Sequence, residues 1–580
     1  MSLLERIESG AAEDDAQAGK KLIRIGSNHG MSLSERLGSI LHRLTSNIPI
    51  PALRFGSQPA LKIASVPKDP VAGDKAAGEA IIKGFIVRNG TSIAVDALDF
   101  ADPALTPDIT EYLHSFEWLR DLAAAATRER GSGIAEKVMA KWLAAHGAQP
   151  VYPAWRPDLW GRRILFWTAY APYILSNPDP AYRAAILKTL GRGIRHLRRI
   201  ARRAPYGLKR ISAFSGLVAS SLVVEGAPAG LRSAEAGLMR ALSSGLHDDG
   251  GLVSRSPAEQ VALVEILSQL RGFYSAARTE MPEAVAEAIE GSLACLLAVT
   301  LGDDRLSSWQ AGNMGSKRRV VAAIEASGMY GQPGRPTRGW GYQRMCSRKS
   351  IIIFDAAPPP ASRAFAGGCA STLAWEMSDG GHRLVVNCGG VAGRADALPN
   401  ELVQALRTTA AHSTLTLGDR NSTAIHADGA LGKGVTEVEL SREEAAGTII
   451  VEASHDGYAK RYGLIHQRQL SLSGDGGELR GEDSLVPAEG KRKSEEVGFA
   501  IRFHLAPGVE AAATADGQGA LLRIKGGGVW QFRCRGGTFA MEDSLWVDGD
   551  AVPHDTVQLV VTGEGPPDGT TISWLFRRAG

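Results

Sequence analysis

The sequence has few cysteines, few aromatic residues and no long apolar run. Its five cysteines are scattered, with no Cys-x-x-Cys pair, which argues against a disulfide framework and against a zinc site built from thiolates. No apolar run reaches the length of ~18 residues that a membrane-spanning helix needs. We therefore predict buried thiols and no integral membrane segment.

An excess of one charge is also missing. The chain carries 65 Lys and Arg against 62 Asp and Glu, a net charge of +3, which is too balanced for a general nucleic-acid-binding protein. The N-terminal segment has Glu5, Glu8, Glu13, Asp14 and Asp15 where a signal peptide would have an apolar region, so we expect no export signal. With 580 residues, 44% of them hydrophobic, the chain can form two or more domains.

The first half of the chain has the pattern of helices. We interpret residues 1–50 as a polar leader, with one amphipathic stretch at 32–44, and residues 51–107 as an extension that packs on the helical part. From 108 to 301, apolar residues recur at helical spacing, and each run ends in Gly, Pro or Asn. Short turns between eight helices predict antiparallel pairs that curve into an (α/α) toroid. The predicted helices are 109–128, 132–146, 158–176, 180–203, 209–224, 229–246, 257–278 and 281–301.

The second half has the pattern of strands. Residues 302–345, rich in Gly, Arg and Trp, form the predicted junction. From 346 to 580 the apolar runs become short and β-branched, with Gly, Asp or Asn between them, which predicts an antiparallel β-sandwich. The fold class is therefore α+β with separate domains. The ten clearest strand sequences are SIIIFDA, HRLVVNCG, STLTLGD, TEVELS, GTIIVEAS, RQLSLSGD, AIRFHLA, LLRIKG, TVQLVVTG and TISWLF.

Histidines near strand ends are the first candidates for chemistry. His412 directly precedes a predicted strand, His455 ends another, and Asp428 lies between them in the sequence. Two imidazoles and a carboxylate from neighbouring strands would suit zinc or a similar divalent ion. The alternative is that these histidines are ordinary hydrogen-bonded residues at strand ends.

The helical half offers basic and aromatic candidates. Four arginines, Arg195, Arg198, Arg199 and Arg202, share a helix face that could hold carboxylates or sulfates, or could simply be solvated. Lys209 and Arg210 begin the next predicted helix and are better placed to point into a cleft. The tryptophans of this half could stack on sugar rings or fill the core. They are Trp118, Trp142, Trp155, Trp160 and Trp167.

Several strings of the sequence, in this order, resemble the heparinase II/III group of polysaccharide lyases. The β half carries most of the likeness, over about 240 residues, and the helical half adds two weaker strings. In the second of these, Arg163 and Trp167 match the family pattern, whereas Asp158 stands where the family has Tyr. The strings are LHSFEWLRDL (113–122), WRPDLWGRRILFW (155–167), GYQRM (341–345), LVVNCG (384–389), AAHSTLTLGD (410–419), EASHDGY (452–458), LRGEDSLVP (479–487) and RFHLAPG (502–508).

The resemblance implies a carbon–oxygen lyase that cleaves an acidic polysaccharide, such as a glycosaminoglycan, by β-elimination. In such enzymes a cation or amide neutralises the C6 carboxylate of a uronate, a Tyr or His removes the C5 proton, and a Tyr protonates the leaving oxygen. The resemblance also implies substrate-binding roles for Trp155, Arg163 and Trp167. It further implies a structural divalent metal, which we expect to be zinc, on His412, Asp428 and His455, and a location in the periplasm or cell envelope.

Two departures from the family pattern affect the chemistry. The region PYGLKRIS has no Asn-His pair, and Ala258 or Glu259 takes the place of the expected Tyr. The family's catalytic histidine would fall on Ala410. Either the site is rebuilt, or the protein is a non-catalytic glycan-binding protein of the cell envelope. A rebuilt site would use Lys209 or Arg210 as neutraliser and His412, Tyr206 or Tyr274 for proton transfer.

A third hypothesis is a glycoside hydrolase on the same toroid. Such an enzyme would need two carboxylates across the groove. The candidates are Asp248, Asp249 and Glu259. Since the sequence shows no signal peptide, work on a glycan in the cytoplasm is an alternative to the envelope location.

Overall fold

The computed structural model describes residues 21–24, 61–227, 230–328, 339–362, 365–392, 394, 397–445, 447–490 and 495–579. The predicted leader at 1–50, including the amphipathic stretch at 32–44, lies outside these ranges except for residues 21–24. Within the described part of the chain, none of the helices is both long and apolar enough to span a membrane.

Helices dominate the chain up to residue 326. Four helices begin with a proline, where the missing N–H and fixed φ favour a helix start. These residues are Pro107, Pro157, Pro180 and Pro257. Side-chain caps fix two of the same boundaries: Asp179 accepts from the backbone of Ala181 before α7, and Ser256 accepts from that of Glu259 before α10. The helices are α1 Lys75–Ile82, α2 Pro107–Ser115, α3 Trp118–Ala125, α4 Arg128–His146, α5 Pro157–Ala169, α6 Ala171–Ile174, α7 Pro180–Ile200, α8 Leu208–Val223, α9 Leu231–Gly245, α10 Pro257–Ala277, α11 Glu283–Ala298, α12 Lys317–Ala326, α13 Asn400–Ala405 and α14 Ala459–Tyr462.

A cluster of aromatic side chains forms the centre of the helical domain. Trp142 packs edge-on against Trp160 and Trp167, with ring centres 6.2 and 5.5 Å apart. Phe116 contacts Trp167 in the same way at 5.2 Å. All four side chains are buried, so the tryptophans of this half are mainly core residues.

Glycines allow a close helix contact in the toroid, between α5 and α8. A Cβ added at Gly161 would lie 2.0 Å from the carbonyl oxygen of Ser212, and one added at Gly216 would lie 2.4 Å from Cα of Gly161. The two backbones approach this closely only because neither glycine has a side chain. Gly161 is the fifth residue of α5, and Ser212 and Gly216 are the fifth and ninth residues of α8, so the contact holds the N-terminal parts of the two helices close together.

The segment from 61 to 107 is attached to the toroid by buried polar contacts. The Arg120 guanidinium donates to both oxygens of Asp69, at 2.9 and 3.3 Å, and the hydroxyl of Tyr170 donates to the same carboxylate at 3.0 Å. The short strand β2 (Lys62–Ile63) pairs with β5 (Val224–Glu225), which follows α8. A second small hairpin consists of β3 (Phe85–Arg88) and β4 (Thr91–Ala94).

Two antiparallel sheets make up most of the C-terminal half. The larger has the strand order β1-β11-β12-β13-β14-β21-β18-β17-β16, and the smaller β19-β20-β15-β9-β8-β7-β6, with β10 added on β15. Part of the predicted leader is in fact an edge strand, because β1 pairs with β11. The strands are β1 Lys21–Arg24, β6 Tyr342–Ser347, β7 Ser350–Asp355, β8 Trp375–Asp379, β9 His382–Val386, β10 Leu415–Leu417, β11 Glu437–Ala445, β12 Thr448–His455, β13 Leu464–Leu472, β14 Glu478–Pro487, β15 Val497–Leu505, β16 Val509–Ala513, β17 Gly519–Ile524, β18 Val529–Arg535, β19 Thr538–Val547, β20 Pro553–Gly565 and β21 Thr570–Ala579.

The two sheets pack face to face around an apolar core. Trp375 of the smaller sheet stacks on Trp574 of the larger one, with ring centres 5.3 Å apart and nearly parallel planes. Phe503 packs against Trp574 at 4.9 Å. This arrangement confirms the predicted fold class, a helical domain followed by an antiparallel sandwich.

Arg255, in the loop before α10, joins the two domains. Its side chain donates to Asp355 of β7 at 2.6 Å and to the carbonyl of Trp340 at 2.9 Å. In return, the hydroxyl of Tyr342 donates to the Arg255 carbonyl at 2.9 Å. All of these groups are buried, so the start of α10 is held firmly against the sandwich.

Candidate functional site

Three helix N-termini of the toroid meet at one place. Asp158 is the second residue of α5, Lys209 the second of α8, and Glu259 the third of α10. The glycine contact between α5 and α8 brings the first two together, and the Arg255 loop precedes the third. We call Glu111, Arg156, Asp158, Lys209 and Glu259 the Lys209 cluster.

Arg156 holds two of the carboxylates. It precedes α5, and its guanidinium donates to Asp158 Oδ1 at 3.2 Å and to Glu111 of α2 at 2.8 Å. Asp158 is buried, whereas the side chain of Glu111 is 40% exposed. Burial works to raise the pKa of Asp158, but Arg156 and then Lys209 hold it below the ordinary value.

Glu259 is the third carboxylate of the cluster. Its backbone N–H is capped by Ser256, in the Ser-x-x-Glu pattern of a helix start. Burial raises the pKa of the Glu259 carboxyl above its ordinary value. A hydrogen bond with Ser254 and the positive charge of Lys209 lower this pKa, but by less. The charge of Lys209 therefore lowers the pKa of both Asp158 and Glu259, which lie in the first turns of two different helices.

The negative charge of the chain's own carboxylates distinguishes this arrangement from a cationic site that is free to bind an anion. A helix N-terminus attracts negative charge, and here the chain's own carboxylates occupy the first turns of α5 and α10. Lys209 is half-buried, and its charge lowers the pKa of both Asp158 and Glu259. Within the cluster, three carboxylates face two cations.

The cluster includes residues that the sequence did not single out. Arg156 and Glu111 were not among the predicted site residues, and Tyr152 also lies close, because Asp158, Arg156 and Arg203 all influence its pKa, which burial raises. Arg156 and Asp158 lie in the string WRPDLW. In the sequence, only the replacement of the expected Tyr by Asp158 pointed to this part of the site. The contact with Glu111 depends on the packing of α2 against α5, which no local pattern encodes.

Arg210 does not point into a cleft as predicted. Its side chain is buried, and Nε donates to the carbonyl of Ala204 at 3.1 Å. Its guanidinium carbon lies 5.9 Å from the ring centre of Tyr206, which is half-buried. The helix turns Arg210 back toward the preceding 3-10 turn, so of the two predicted neutralisers only Lys209 reaches the cluster.

Tyr274 is separated from the cluster. It lies fifteen positions after Glu259 on α10, which corresponds to about 22 Å along the helix. Its hydroxyl donates to Glu235 of α9 at 2.9 Å, and burial raises its pKa. The placement contradicts the predicted role in proton transfer at a site containing Lys209.

The three predicted substrate-binding residues are core residues. Trp155, Arg163 and Trp167 have relative exposures of 1%, 0% and 1%. Arg163 donates to the carbonyls of His114 and Ala154, each at 2.9 Å, and its guanidinium carbon lies 4.2 Å from the ring centre of Trp142. A substrate has no access to these side chains, so this prediction is wrong.

His412 is buried beside the smaller sheet. It follows a 3-10 turn at Thr409–Ala411, and its Nδ1 lies 2.7 Å from the carbonyl oxygen of Thr408. The carbonyl can only accept, so Nδ1 carries the proton and Nε2 does not. Burial lowers the pKa of His412 to about 4, and the imidazole is therefore neutral near pH 7.

His504 occupies the position next to Ala410, where the family pattern would put a catalytic histidine. Its Nε2 lies 2.9 Å from the Ala410 carbonyl oxygen, and its Nδ1 lies 2.8 Å from the hydroxyl of Ser544. Burial lowers the pKa of His504 to about 3. This histidine is thus held neutral between two partners and is 3% exposed.

His455 belongs to a buried hydrogen-bonded chain. The N–H of Gly457 donates to His455 Nδ1 at 3.1 Å, so Nε2 carries the proton and faces His466 Nδ1 at 3.4 Å. His466 in turn donates from Nε2 to Asp483 at 2.7 Å. Both ring nitrogens of His455 are therefore used within the protein.

The predicted metal ligands do not form a metal site. Asp428 lies in a turn, where its carboxylate accepts from the N–H of Ala430 at 3.0 Å, and His455 is committed to its histidine partner. In the described ranges, no three His, Cys, Asp or Glu side chains are arranged to hold a metal ion. The donor set of His412, Asp428 and His455 thus does not fit the expected zinc.

A helical toroid followed by an antiparallel β-sandwich is also the fold of solved polysaccharide lyase structures that this chain resembles. Residues 331–575 match the family described as Heparinase II/III-like, C-terminal. The resemblance seen in the sequence is thereby confirmed.

Solved structures show the same fold over nearly the whole chain. A structure of heparinase III matches with a TM-score of 0.67 at 13% identity, covering 94% of this chain and 90% of that one. The heparan sulfate lyase HepC from Pedobacter heparinus matches with a TM-score of 0.58 at 12% identity, covering 87% and 82%.

A curated relative matches along nearly the full length of both sequences. FtsZ-localized protein C from Caulobacter vibrioides is 28% identical over 565 residues, which is 94% of each chain. Its name describes a location and not a reaction.

Proposed function

We propose that the chain is a polysaccharide-lyase-like protein that has lost β-elimination and works as a non-catalytic binding protein in association with FtsZ. The single observation that carries the first part is the Lys209 cluster. The second part comes from the relative FtsZ-localized protein C, which matches 94% of each chain.

The argument against elimination is electrostatic. β-Elimination needs a cation or hydrogen-bond donor free to stabilise the charge that develops on a uronate carboxylate. Here the charge of Lys209 already acts on the chain's own Asp158 and Glu259 and lowers the pKa of both carboxyls, and a uronate beside Lys209 would be repelled by these two carboxylates. Like charges in a partly buried place repel strongly, because the effective dielectric constant is low.

The histidines of the sandwich agree with this proposal. His412 and His504 are 2% and 3% exposed, and each hydrogen bonds to a backbone carbonyl. A general base must reach the proton that it removes. Neither buried side chain is available for that in this structure.

A second candidate function is a lyase with a rebuilt site that cleaves an acidic polysaccharide. It is favoured by one observation: Lys209 remains half-buried and not fully buried, at the place where the family has its neutraliser. In that case a substrate carboxylate would bind Lys209 directly, in the presence of the charges of Asp158 and Glu259.

Absorbance near 235 nm, where an unsaturated uronate product absorbs, distinguishes the two functions. We expect no rise with alginate, heparan sulfate or hyaluronan, and none in Asp158→Asn or Glu259→Gln. A rise in the wild type that is lost in Lys209→Ala would establish the rebuilt lyase instead. Isothermal calorimetry with the same polysaccharides reports binding independently of cleavage.

The association with FtsZ has its own test. A fluorescent fusion of the full chain, expressed in its own host, should coincide with labelled FtsZ. A diffuse signal that ignores FtsZ would contradict this part of the proposal and leave the absorbance result untouched.

A further inference from the structure

The larger sheet ends in a strand that comes from the N-terminal segment. β1 pairs antiparallel with Glu437–Leu440 of β11, and in the described part of the chain it is the outermost strand at this end of the sheet. We call the backbone of Glu437–Leu440 that faces β1 the β11 edge. An unpaired strand edge is a template for pairing with another polypeptide, so β1 covers a surface that could bind an extended segment.

A single buried side chain holds β1 on the sandwich. Ile23 is 7% exposed and lies in the apolar core of the sandwich, together with Val438 of β11. The other three residues of β1 are exposed, and Leu22 has a relative exposure of 44%. Burial of apolar area is roughly proportional to the stabilisation that it gives, so β1 gains most of this stabilisation from one residue.

The charges beside the C-terminal end of β1 favour a basic segment. Arg24 forms an ion pair with Glu437 at 2.8 Å. Asp456 accepts hydrogen bonds from the backbone N–H groups of Thr436 and Glu437, at 2.7 and 3.1 Å, and so places a second carboxylate at this end. Glu439, two positions along the β11 edge, is exposed. Basic side chains on an added strand are therefore stabilised here.

The other end of β1 lies near the toroid. Burial lowers the pKa of His247 to about 4, and the positive charge of Lys21 acts in the same direction. The negative charges of Asp249 and Asp248 act in the opposite direction. His247 belongs to the segment between α9 and α10, which also contains Arg255. The first residue of β1 is therefore close to the segment that joins the two domains, and to two further carboxylates.

We propose that the β11 edge is a binding site for an extended polypeptide segment, which β1 occupies within its own chain and which a partner segment takes over by displacing β1. The partner that fits has an apolar side chain at the place of Ile23 and basic residues on both sides of it, as β1 has. In such strand addition, main-chain hydrogen bonds give affinity, and the pockets for alternate side chains give specificity.

A partner longer than β1 would form more pairs with β11. Residues 441–445, the rest of that strand, pair with β12 and with no second strand in the part of the chain that the structure describes. A segment that continues beyond the position of Lys21 could pair with them. This difference in pairing gives a partner the means to compete with a strand of the same chain.

Acidic polymers fit the β11 edge poorly. Glu437, Glu439 and Asp456 would repel the carboxylates of a uronate polymer or the phosphates of a nucleic acid. Residues 437–440 also include no aromatic side chain on which a sugar or a base could stack. The surface is therefore suited to a polypeptide with basic side chains.

Binding of a fluorescent peptide to the full chain, followed by anisotropy, tests the proposal. The peptide has the sequence KKLIRIG, which is that of residues 20–26. In the wild type β1 competes with it, so its apparent affinity is reduced by the fraction of molecules whose edge is open. Ile23→Asn places a polar amide in the core, and we expect the peptide to bind this variant at least about tenfold more tightly than the wild type. The control Leu22→Asn, at an exposed position of the same strand, should bind within about twofold of the wild type.

A second pair of variants tests where the peptide binds. In Ile23→Asn/Glu437→Lys the peptide should bind at least about threefold more weakly than in Ile23→Asn, because an attractive contact with its arginine becomes repulsive. Glu443 is an exposed residue of β11 outside the register of β1. The control Ile23→Asn/Glu443→Lys has the same change in net charge and should bind within about twofold of Ile23→Asn.

Three results would overturn the inference. Equal affinity of the peptide for the wild type, Ile23→Asn and Leu22→Asn would mean that β1 does not occupy the site of the peptide. Equal weakening by Glu437→Lys and Glu443→Lys would mean that the peptide follows net charge and not the β11 edge. A wild-type dimer that the peptide converts to monomers, seen by light scattering, would mean that β1 is exchanged between two copies.

Hydrogen exchange of the wild type gives a test that does not depend on the folding of a variant. The amides of Lys21–Arg24 should exchange at least about tenfold faster than those of β12, because β1 opens without unfolding of the sheet. Equally slow exchange of both strands would contradict a displaceable β1. Melting curves show whether each variant is folded, and none of these measurements depends on polysaccharide cleavage or on the position of FtsZ in cells.

Discussion

His466 donates from Nε2 to Asp483 Oδ1 over 2.7 Å in the centre of the β-sandwich. The same carboxylate accepts two hydrogen bonds from Arg468, at 2.8 and 2.9 Å, and one from the indole of Trp574 at 2.7 Å. His466, Arg468 and Asp483 are 0% exposed. Asp483 thus balances the buried cation of Arg468. It also orients His466 and, through it, His455.

Loss of the Asp483 charge should strongly destabilise the sandwich. In Asp483→Asn the Arg468 cation is left buried without its counter-ion, and we expect the free energy of unfolding of the β domain to fall by about 3–5 kcal/mol. Thermal unfolding followed by tryptophan fluorescence measures this. The control Asp555→Asn, at an exposed strand position, should change stability by less than about 0.5 kcal/mol.

Stability should fall as the pH is lowered below neutral. Burial lowers the pKa of His412 to about 4, below the value of about 6.5 in the unfolded chain. Protonation therefore favours the unfolded state. His412 contributes its full stabilisation above pH ~6.5 and loses it between pH ~6.5 and 4, about 2 kcal/mol of it by pH 5.

Melting temperatures at pH 7.5 and pH 5 check this dependence. The variant His412→Gln, which can still donate to Thr408, should show a smaller decrease between the two pH values. The exposed His382→Gln is the matched control and should behave as wild type. A melting temperature that stays constant or rises toward pH 5 would be incompatible with neutral buried histidines.

Lys209 and Glu259 should be energetically coupled. If Lys209 balances the chain's own carboxylates, Lys209→Met should destabilise the toroid by about 1–3 kcal/mol, and Glu259→Gln should offset part of that loss. A double-mutant cycle by thermal unfolding should give a coupling energy of at least about 0.5 kcal/mol. Strictly additive effects would mean that Lys209 does not depend on Glu259 for its balance, which would favour a cation available to substrate.

The glycine contact between α5 and α8 should not tolerate a methyl group. Gly216→Ala would place Cβ 2.4 Å from Cα of Gly161, and the helices must separate. We expect a loss of about 1–3 kcal/mol or more in stability, as for other overpacked cores. Gly133→Ala, where an added Cβ meets nothing within 4 Å, is the control and should be neutral or slightly stabilising because alanine is the better helix former.

Local patterns in the sequence determined most of the elements. Apolar spacing, Pro at helix starts and capping residues place six of the eight predicted helices within a few residues of their observed bounds, because these signals act within one or two turns. The predicted helices 109–128 and 158–176 are each divided into two helices in the structure. The ten clearest strand sequences are all strands. The missed strands include β19, Thr538–Val547, whose first half is mostly exposed. A strand that buries little apolar surface gives no clear alternation to read.

The tertiary structure alone decided the site. Residues 158, 209 and 259 are far apart in the sequence, and they meet because two glycines allow α5 and α8 to touch and because Arg255 fixes the start of α10. From the sequence we predicted that the family's Asn-His pair and Tyr are replaced. The sequence did not indicate that the charge of Lys209 acts on Asp158 and Glu259, nor that Arg163, Trp155 and Trp167 are buried, since proximity and burial depend on the packing of segments that no local pattern specifies.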